Sequence, residues 1–274
     1  MSPTKNRVKV AAVQMTSTAD VDRSVDLALD LVAQAAADGA KLVVLPECFA
    51  QLGPNSSKLS VAEPLPDGGP ILRRCQASAK DHQIELVLGG FWERSDDPKH
   101  VFNSSVHLGP DGEVRAIYRK IHLFDVDLPD GTRLRESDTQ RPGDQPMTSE
   151  SCAGRLGLSI CYDLRFPELY RQLVHDGATV LTVPAAFTLQ TGKDHWHVLL
   201  RARAIEAQCH VIAAAQVGNH FEERWSYGHA LVCDPWGTVL AECGQGNGYA
   251  LAYVDSSVTE QVRASVPSLT HRRL

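Results

Sequence analysis

A cysteine, a glutamate and a lysine each follow an apolar run that ends abruptly. The stretch LGLSICYDLRFPELYR contains Cys161, while LVVLPE and AIYRK end in Glu47 and Lys120. A thiol with a pKa near ~8.5 needs a neighbouring base or cation to act as a nucleophile at neutral pH. A carboxylate can accept the thiol proton, and an ammonium group can stabilise a thiolate and an oxyanion. Together these residue types indicate covalent acyl-transfer chemistry.

Each of these residues also has an ordinary structural interpretation. Cys161 could be a small buried hydrophobic residue, Lys120 a solvated charge and Glu47 a turn cap. Histidine is the commoner partner of a nucleophilic cysteine, and the chain has 11 histidines. The candidates fall in a predicted loop, helix and strand, with no spacing that favours one of them: His122, His195 and His229. The residues alone therefore leave the base open between Glu47 and a histidine.

The elements that must position these side chains alternate between strands and helices. Periodicity predicts strands at 8–15, 41–47, 84–92, 155–161, 178–184 and 210–217, and helices at 24–40, 69–83, 166–175 and 194–209. It also predicts a hairpin at 101–120, three short strands within 226–254, and a long loop at 122–146 that is expected to be functional. This pattern indicates an α/β fold with mixed sheets covered by helices, in a single domain spanning 1–274. The ends of different strands can then meet in one cleft.

Composition excludes several classes of function. The net charge of −6 gives no electrostatic reason to bind nucleic acid or an anionic membrane. No stretch reaches the roughly 18 apolar residues of a membrane span, and the N-terminus does not resemble a secretory signal. The seven cysteines are scattered without a CxxC pair, which indicates a reducing cytoplasm rather than a disulfide framework or a zinc site. We expect a small-molecule substrate.

No cofactor is expected from the motifs. His195 and His197 are two residues apart, which would point their imidazoles to different faces of a helix. There is no HExxH motif, no GxGxxG motif and no P-loop. The sequence therefore predicts neither a metal nor a nucleotide cofactor.

An ordered series of segments resembles the nitrilase superfamily of carbon–nitrogen hydrolases. The matching segments are AAVQM, LVVLPECF, YRKIHLFDVDLP, RES, LSICYDLRFPELYR, PAAFTLQTGKDHWHVLLRARAIEAQCHVIAAAQ, YGHALVCDPWGTVLA and the terminal HRR. They extend along nearly the whole chain, in the family's order. Within the superfamily, the sequence is most similar to the amidase branch that includes deaminated glutathione amidase and omega-amidase.

The resemblance implies an architecture and an assembly. The fold would be an α-β-β-α sandwich with two mixed sheets covered by helices. Subunits, each a four-layer sandwich, would pair through their sheets into an α-β-β-α–α-β-β-α homodimer, with the C-terminal tail from about 256 to 274 at the interface.

The resemblance also implies catalytic roles. Glu47 matches the general base, Lys120 the catalytic lysine and Cys161 the nucleophile. Glu136, in the RES segment, matches a second glutamate near the lysine, and the backbone N–H of Tyr162 would bind the oxyanion. Two carboxylates should keep Lys120 charged, and burial should raise the carboxylate pKa toward the working range.

Three further residues match positions in the substrate pocket of related amidases. They are Arg165, Phe187 and Thr191. Arg165 could bind a substrate carboxylate or instead form a salt bridge to Asp163 or Glu168. Phe187 could equally be core packing, and Thr191 a helix cap before KDHWH.

The implied reaction is hydrolysis of a small carboxylated amide to an acid and ammonia through a cysteine thioester. Deaminated glutathione is the first candidate substrate, and alpha-ketoglutaramate, the substrate of an omega-amidase, is the alternative. N-carbamoyl amidohydrolase and nitrilase activities use the same residues. Non-enzymatic alternatives are an inert scaffold and a redox sensor, in which Cys48 could approach Cys161.

Overall fold

The computed structural model describes residues 7–127 and 133–273. Residues 1–6, 128–132 and 274 lie outside this description, so the predicted loop at 122–146 and the C-terminal tail are described in part. The N-terminal segment considered as a possible signal is likewise described only from residue 7.

Sixteen strands and six helices make up the described chain. The strands are β1 (Arg7–Met15), β2 (Leu42–Val44), β3 (Glu85–Arg94), β4 (Val101–Leu108), β5 (Val114–Arg119), β6 (Asp125–Asp127), β7 (Arg133–Arg135), β8 (Met147–Ser151), β9 (Gly154–Leu158), β10 (Val180–Thr182), β11 (His210–Ala213), β12 (Ala215–Phe221), β13 (Arg224–Tyr227), β14 (Leu231–Cys233), β15 (Val239–Glu242) and β16 (Gly248–Asp255). The helices are α1 (Val21–Ala37), α2 (Lys58–Val61), α3 (Pro70–His82), α4 (Pro167–His175), α5 (Leu189–Ala207) and α6 (Ser256–Ser265).

Two mixed sheets form the centre of the molecule. The first has the order β13-β12-β1-β2-β3-β4-β5, with β16 also paired to β1, and its β1, β2 and β3 are parallel. The second has the order β15-β14-β11-β10-β9-β8, with β9, β10 and β11 parallel. Antiparallel pairs such as β3–β4, β11–β14 and β8–β9 flank these central strands, so each sheet is mixed.

The layers follow from which faces are apolar. Alternate residues of β1 separate into two clusters, because successive side chains of a strand point to opposite faces. Val10 and Ala12 pack in the cluster that contains the second sheet, α4 and α5. Ala11 and Val13 pack in the cluster that contains α1 and α3. The order of layers is therefore helix, sheet, sheet, helix, which confirms the expected α-β-β-α sandwich.

Several predicted boundaries were wrong. Helix α5 begins at Leu189 rather than at 194, because the Thr188 side chain accepts from the Thr191 amide and caps a turn that the pattern did not reveal. Strand β9 ends at Leu158 instead of continuing to Cys161. Within 226–254 the chain forms four strands rather than three, because the predicted first strand divides at Gly228 into β13 and β14.

The sequence interpretation also missed some elements. Strand β8 and the β6–β7 pair lie inside or next to the predicted loop at 122–146. Helix α6 occupies the C-terminal tail, where no helix was predicted. No helix in the described ranges is long and apolar enough to cross a membrane.

Candidate active site

A buried lysine lies between two carboxylates at the carboxyl ends of β2 and β5. Lys120 Nζ is 2.9 Å from Glu47 Oε1, and 3.0 and 2.8 Å from the two carboxylate oxygens of Glu136. Glu47 and Lys120 are 2% and 1% exposed. Glu136 begins a short 3-10 helix that follows β7, and it also accepts from the Phe124 amide at 2.8 Å. The structure thus brings together three residues that the sequence placed 73 and 16 positions apart.

The Glu47 carboxylate is held by two further donors. Oε1 accepts from Asn103 Nδ2 at 2.9 Å, and Oε2 accepts from the Ala186 amide at 2.9 Å. Because every neighbour within hydrogen-bonding distance is a donor, the geometry favours the ionised form of this carboxylate.

Cys161 lies on a strained turn beside this network. It begins a 3-10 helix spanning Cys161–Arg165, and its φ of 48° is in the left-handed region. A non-glycine residue there is energetically unfavourable and persists only where the surroundings impose it. The Cys161 amide donates to the Pro184 carbonyl at 2.9 Å, which fixes the turn against the segment after β10. The turn directs a buried thiol toward Glu47 and Lys120, and each of these groups changes the pKa of the others.

Asp163 links the cysteine turn to the lysine segment. Its carboxylate is fully buried and accepts from the Ile160 amide at 2.8 Å and from the Tyr118 hydroxyl at 2.8 Å. The other oxygen accepts from the His122 amide at 3.1 Å and contacts His122 Nδ1 at 2.7 Å. Tyr118 and His122 flank Lys120, so this single carboxylate sets the position of Cys161 relative to the lysine. The sequence interpretation missed this role, although the CYD motif contained the residue.

Opposing effects set the charges of the acid–base pair. Burial alone raises the pKa of Glu47, but the charge and hydrogen bond of Lys120 outweigh it and hold that pKa below its usual value. Burial alone lowers the pKa of Lys120, but the charges of Glu136 and Glu47 outweigh it and raise that pKa well above its usual value. The expectation of a charged lysine is confirmed. The expectation of a raised Glu47 pKa is wrong, because the contact with the ammonium group is direct.

The thiol of Cys161 is protonated at rest. Burial and the negative charge of Glu47 raise its pKa well above the usual value, and the nearby Lys120 only partly opposes this. The site therefore rests as thiol, carboxylate and ammonium, with Glu47 in a form that can accept a proton.

The histidines considered as alternative bases have other partners. His122 contacts Asp163 and stacks on Phe166 with 3.7 Å between ring centroids. His195 Nδ1 lies 3.3 Å from Arg165, and His229 Nδ1 lies 2.6 Å from Glu242. None of the three is among the described residues that line the cleft around Cys161. The geometry therefore favours Glu47 as the base.

The cleft has two lobes that meet at Glu47, Glu136 and Arg224. The inner lobe, about 20 Å³, is lined by Cys161, Tyr162, Arg165, Phe187, Thr188 and Thr191. The outer lobe, about 220 Å³, is lined by Cys48, Asn55, Lys58, Trp92 and Gln140, among others. Both lobes share Phe124 and Ala186. A substrate with its reacting carbonyl at Cys161 can therefore extend in two directions.

The three predicted substrate residues all line the inner lobe. Arg165 is half-buried, with its guanidinium 5.3 Å from the Phe187 ring centroid. It forms no ion pair with Asp163 or Glu168 among the described residues, and its Nη1 lies 3.3 Å from His195 Nδ1. Thr191 lies in the first turn of α5 and contacts the Thr188 hydroxyl at 2.8 Å, so it is not the cap. Phe187 also packs on Trp196 and thus serves the core as well.

Two other features of the site were missed from the sequence. Asn103 was read only as part of a hairpin, yet it positions Glu47. Gly89 in β3 lies against the segment that leads to Glu47, where a Cβ would be 1.9 Å from the Leu45 carbonyl oxygen and 2.3 Å from Pro184 Cβ. The GG pair in LVLGGFW was the available signal for this close approach.

A separate group of side chains has the composition of a metal site. One ligand atom each from His197, His229 and Glu242 lies within 4.8 Å of the others. Glu242 Oε1 is 2.9 Å from His197 Nε2 and 2.6 Å from His229 Nδ1, so hydrogen bonds already pair the three. The sequence interpretation considered His197 with His195, but the structure pairs it with residues from other elements. The group does not line either lobe of the cleft.

Comparison with known proteins gives a consistent result. The carbon–nitrogen hydrolase family matches residues 9–264. Deaminated glutathione amidase from Synechocystis sp. is 45% identical over 265 residues, which cover 96% of this chain and 97% of that protein. The crystal structure of the C. elegans NitFhit protein is similar with a TM-score of 0.92 and 40% identity, covering 98% of this chain and 66% of that one.

A third relative has a characterised cysteine. The amidase from Nesterenkonia sp., in a form showing Michael addition of acrylamide at its active-site cysteine, has a TM-score of 0.76 and 26% identity. The match covers 95% of this chain and 98% of that one. The resemblance to the nitrilase superfamily is thus confirmed over nearly the full length. This chain belongs to the carbon–nitrogen hydrolase family.

Proposed function

We propose that this chain hydrolyses an amide bond of deaminated glutathione through a thioester on Cys161. Membership of the carbon–nitrogen hydrolase family, together with relatives named deaminated glutathione amidase, supports an amidase. The observation that carries the residue assignment is the buried Lys120, which bonds both Glu47 and Glu136 beside the Cys161 thiol. The substrate assignment is supported by relatives named deaminated glutathione amidase.

The first stage forms the thioester. Cys161 Sγ attacks the amide carbonyl carbon while Glu47 takes the thiol proton. The C–N bond then breaks as Glu47 gives this proton to the leaving nitrogen. In deaminated glutathione the nitrogen belongs to a cysteinylglycine group, so the leaving group is a dipeptide amine rather than the ammonia expected from the sequence.

The second stage releases the acid. Water attacks the thioester carbonyl, and Glu47 takes a proton from the water. The C–S bond breaks, the thiol regains its proton from Glu47, and the carboxylic acid leaves. Each stage begins and ends with an ionised Glu47, which agrees with its lowered pKa.

We expect two donors to stabilise the oxyanion of each stage. One is Lys120, and the other is the backbone N–H of Tyr162 in the first turn of its helix, where an N–H has no acceptor within the helix. Loss of one such donor typically lowers kcat by about 10²–10³-fold. Glu136 positions Lys120 through both of its oxygens.

The acyl part of the substrate would extend along the inner lobe, whose volume of about 20 Å³ must widen as the substrate binds. Its carboxylate would bind Arg165, which has no carboxylate partner within the described chain. Thr191 and Phe187 would contact the rest of the acyl chain. The same lobe would accept alpha-ketoglutaramate, so omega-amidase activity is the rival assignment.

Mass spectrometry of the Glu47→Gln variant with deaminated glutathione tests the mechanism. We expect an acyl adduct on Cys161, because the second stage lacks its base, and none in the Cys161→Ala control. An adduct on another residue would disprove the nucleophile assignment.

Comparing kcat/KM for deaminated glutathione and alpha-ketoglutaramate tests the substrate. A higher kcat/KM for alpha-ketoglutaramate would favour omega-amidase activity.

The protein is also proposed to form a homodimer. Helices cover the outer face of each sheet, so pairing would use a helical face rather than the sheets. Val198 and Ile205 of α5 and the nearby Trp236 are 67, 50 and 59% exposed. A groove of about 690 Å³ is lined by Ile205, Trp236 and Val266, the residue that follows α6. We expect a dimer in analytical ultracentrifugation that Ile205→Asp weakens, and a monomeric parent protein would contradict this.

A cytoplasmic location stays a prediction.

A further inference from the structure

Lys58 is a buried cation in the outer lobe without a carboxylate partner in the described chain. It begins α2, is 7% exposed and lines the lobe. Its Nζ donates to Thr139 Oγ1 at 3.2 Å and lies 4.8 Å from the centroid of the Trp92 ring. An ammonium group has three donors, and a buried charge is normally paired. Lys58 thus has donors left for a ligand.

A second group beside it is also unsatisfied. Gln140 follows Thr139 in the chain, is 2% exposed and lines the same lobe. Its Oε1 is buried without a hydrogen-bond partner in the part of the chain that is described. Such atoms are rare in folded proteins and often mark the place of a ligand or an ordered water. Gln140 Oε1 is therefore an acceptor left for an N–H of a molecule in the lobe.

We propose that the outer lobe binds a peptide-like leaving group, with its terminal carboxylate on Lys58 and one of its N–H groups on Gln140. This inference rests on the proposed function, because it concerns the amine released from the same scissile bond. The two lobes meet at Glu47, the group that protonates the leaving nitrogen. With the acyl chain in the inner lobe, the leaving amine must extend into the outer one.

The charge and the apolar lining of the outer lobe agree with this ligand. Burial lowers the pKa of Lys58, so an anion in the lobe would stabilise its charged form. Trp92 offers an apolar surface beside the cation. Ammonia as a leaving group would use none of these features. We therefore expect the enzyme to prefer amides whose leaving group is a dipeptide over primary amides, which release ammonia.

Steady-state kinetics of Lys58→Met with two substrates tests the proposal. For deaminated glutathione we expect kcat/KM to fall about 10- to 100-fold, mainly through KM, because one charge-assisted hydrogen bond is lost. For alpha-ketoglutaramate, whose leaving group is ammonia, we expect a change below about 2-fold. The matched control Lys80→Met removes an exposed lysine of α3 and should change neither value.

A modified substrate isolates the carboxylate. The modified compound is deaminated glutathione with a C-terminal carboxamide. For the parent enzyme, its kcat/KM should be as low as that of Lys58→Met with unmodified deaminated glutathione. For Lys58→Met, the modified and unmodified compounds should give the same kcat/KM. If Lys58→Met lost kcat/KM equally for deaminated glutathione, its carboxamide and alpha-ketoglutaramate, Lys58 would act on the catalytic groups. No loss on any substrate would show that the lobe does not bind the leaving group. Either result overturns the proposal.

Inhibition separates this proposal from the choice of substrate. Cysteinylglycine should inhibit hydrolysis of alpha-ketoglutaramate by the parent enzyme more strongly than its C-terminal amide does. A parent enzyme that shows this inhibition but does not cleave deaminated glutathione would disprove the proposed substrate and retain the subsite. Equal inhibition by the two compounds would disprove the subsite, even if Lys58→Met does not fold.

Discussion

The Tyr118 hydroxyl donates a 2.8 Å hydrogen bond to Asp163 Oδ2, and this bond joins the strand that carries Lys120 to the turn that carries Cys161. Both partners are fully buried. Tyr118 belongs to the first sheet and Asp163 follows a strand of the second. The two sheets of the sandwich are thus connected by a polar contact between the segments that carry Lys120 and Cys161.

Removal of this bond should impair catalysis and stability together. We expect Tyr118→Phe to lower kcat about 10- to 100-fold through misplacement of the thiol, with little change in KM. The free energy of unfolding should fall by about 1.5–3 kcal/mol, because Asp163 loses a buried donor. Steady-state kinetics and urea denaturation measure these effects.

An exposed tyrosine–aspartate pair provides the control for that variant. Tyr249 donates to Asp38 Oδ2 at 2.6 Å near the surface. Tyr249→Phe should change the free energy of unfolding by less than about 0.5 kcal/mol and leave kcat unchanged. A folded Tyr118→Phe enzyme with normal kcat would contradict the positioning role.

The pH profile of kcat/KM should be flat across the neutral range. Lys120 holds the pKa of Glu47 below its usual value, so the carboxylate stays ionised throughout the neutral range. Burial and the charge of Glu47 raise the pKa of Cys161, so the thiol keeps its proton over the same range. Activity is therefore lost only as pH falls through the lowered pKa of Glu47 or rises through the raised pKa of Cys161. A midpoint near pH 6.5 would instead indicate a histidine base.

The thiol of Glu47→Gln should be more acidic than that of the parent enzyme. The negative charge of Glu47 raises the pKa of Cys161, and Lys120 lowers it, so loss of the carboxylate leaves the ammonium unopposed. We expect the alkylation rate against pH to give a lower thiol pKa, while kcat falls. Glu168→Gln, at an exposed position, is the control. An unchanged or higher thiol pKa would refute this electrostatic account.

Gly89 should tolerate no side chain. A Cβ there would meet the Leu45 carbonyl oxygen at 1.9 Å and Pro184 at 2.3 Å, so Gly89→Ala must displace the segment that carries Glu47. We expect a loss of about 1–3 kcal/mol in the free energy of unfolding. Gly244→Ala has open space around its Cβ and should be nearly neutral by the same denaturation measurement. Similar effects of the two variants would disprove the close-packing account.

Local pattern was most reliable where periodicity and burial agree. The alternation in VKVAAVQM predicted β1, and both of its faces are buried because helices pack on one side and the second sheet on the other. The start of α5 was misplaced because its cap, Thr188, follows an apolar segment that resembles a strand end. Helix α6 was missed because a surface helix with few buried residues has a weak apolar period.

The sequence by itself determined the residue types of the site and the α/β class. It identified Glu47, Lys120 and Cys161 as strand-end residues with complementary chemistry, because that inference needs only local pattern and side-chain chemistry. It could not choose between glutamate and histidine as the base without the family resemblance. The tertiary structure decided what depends on distance: the bonds of Lys120, the role of Asp163 and the lobe that holds Lys58. Contacts between residues far apart in the chain leave no pattern in the local sequence, so they can be identified only from the tertiary structure.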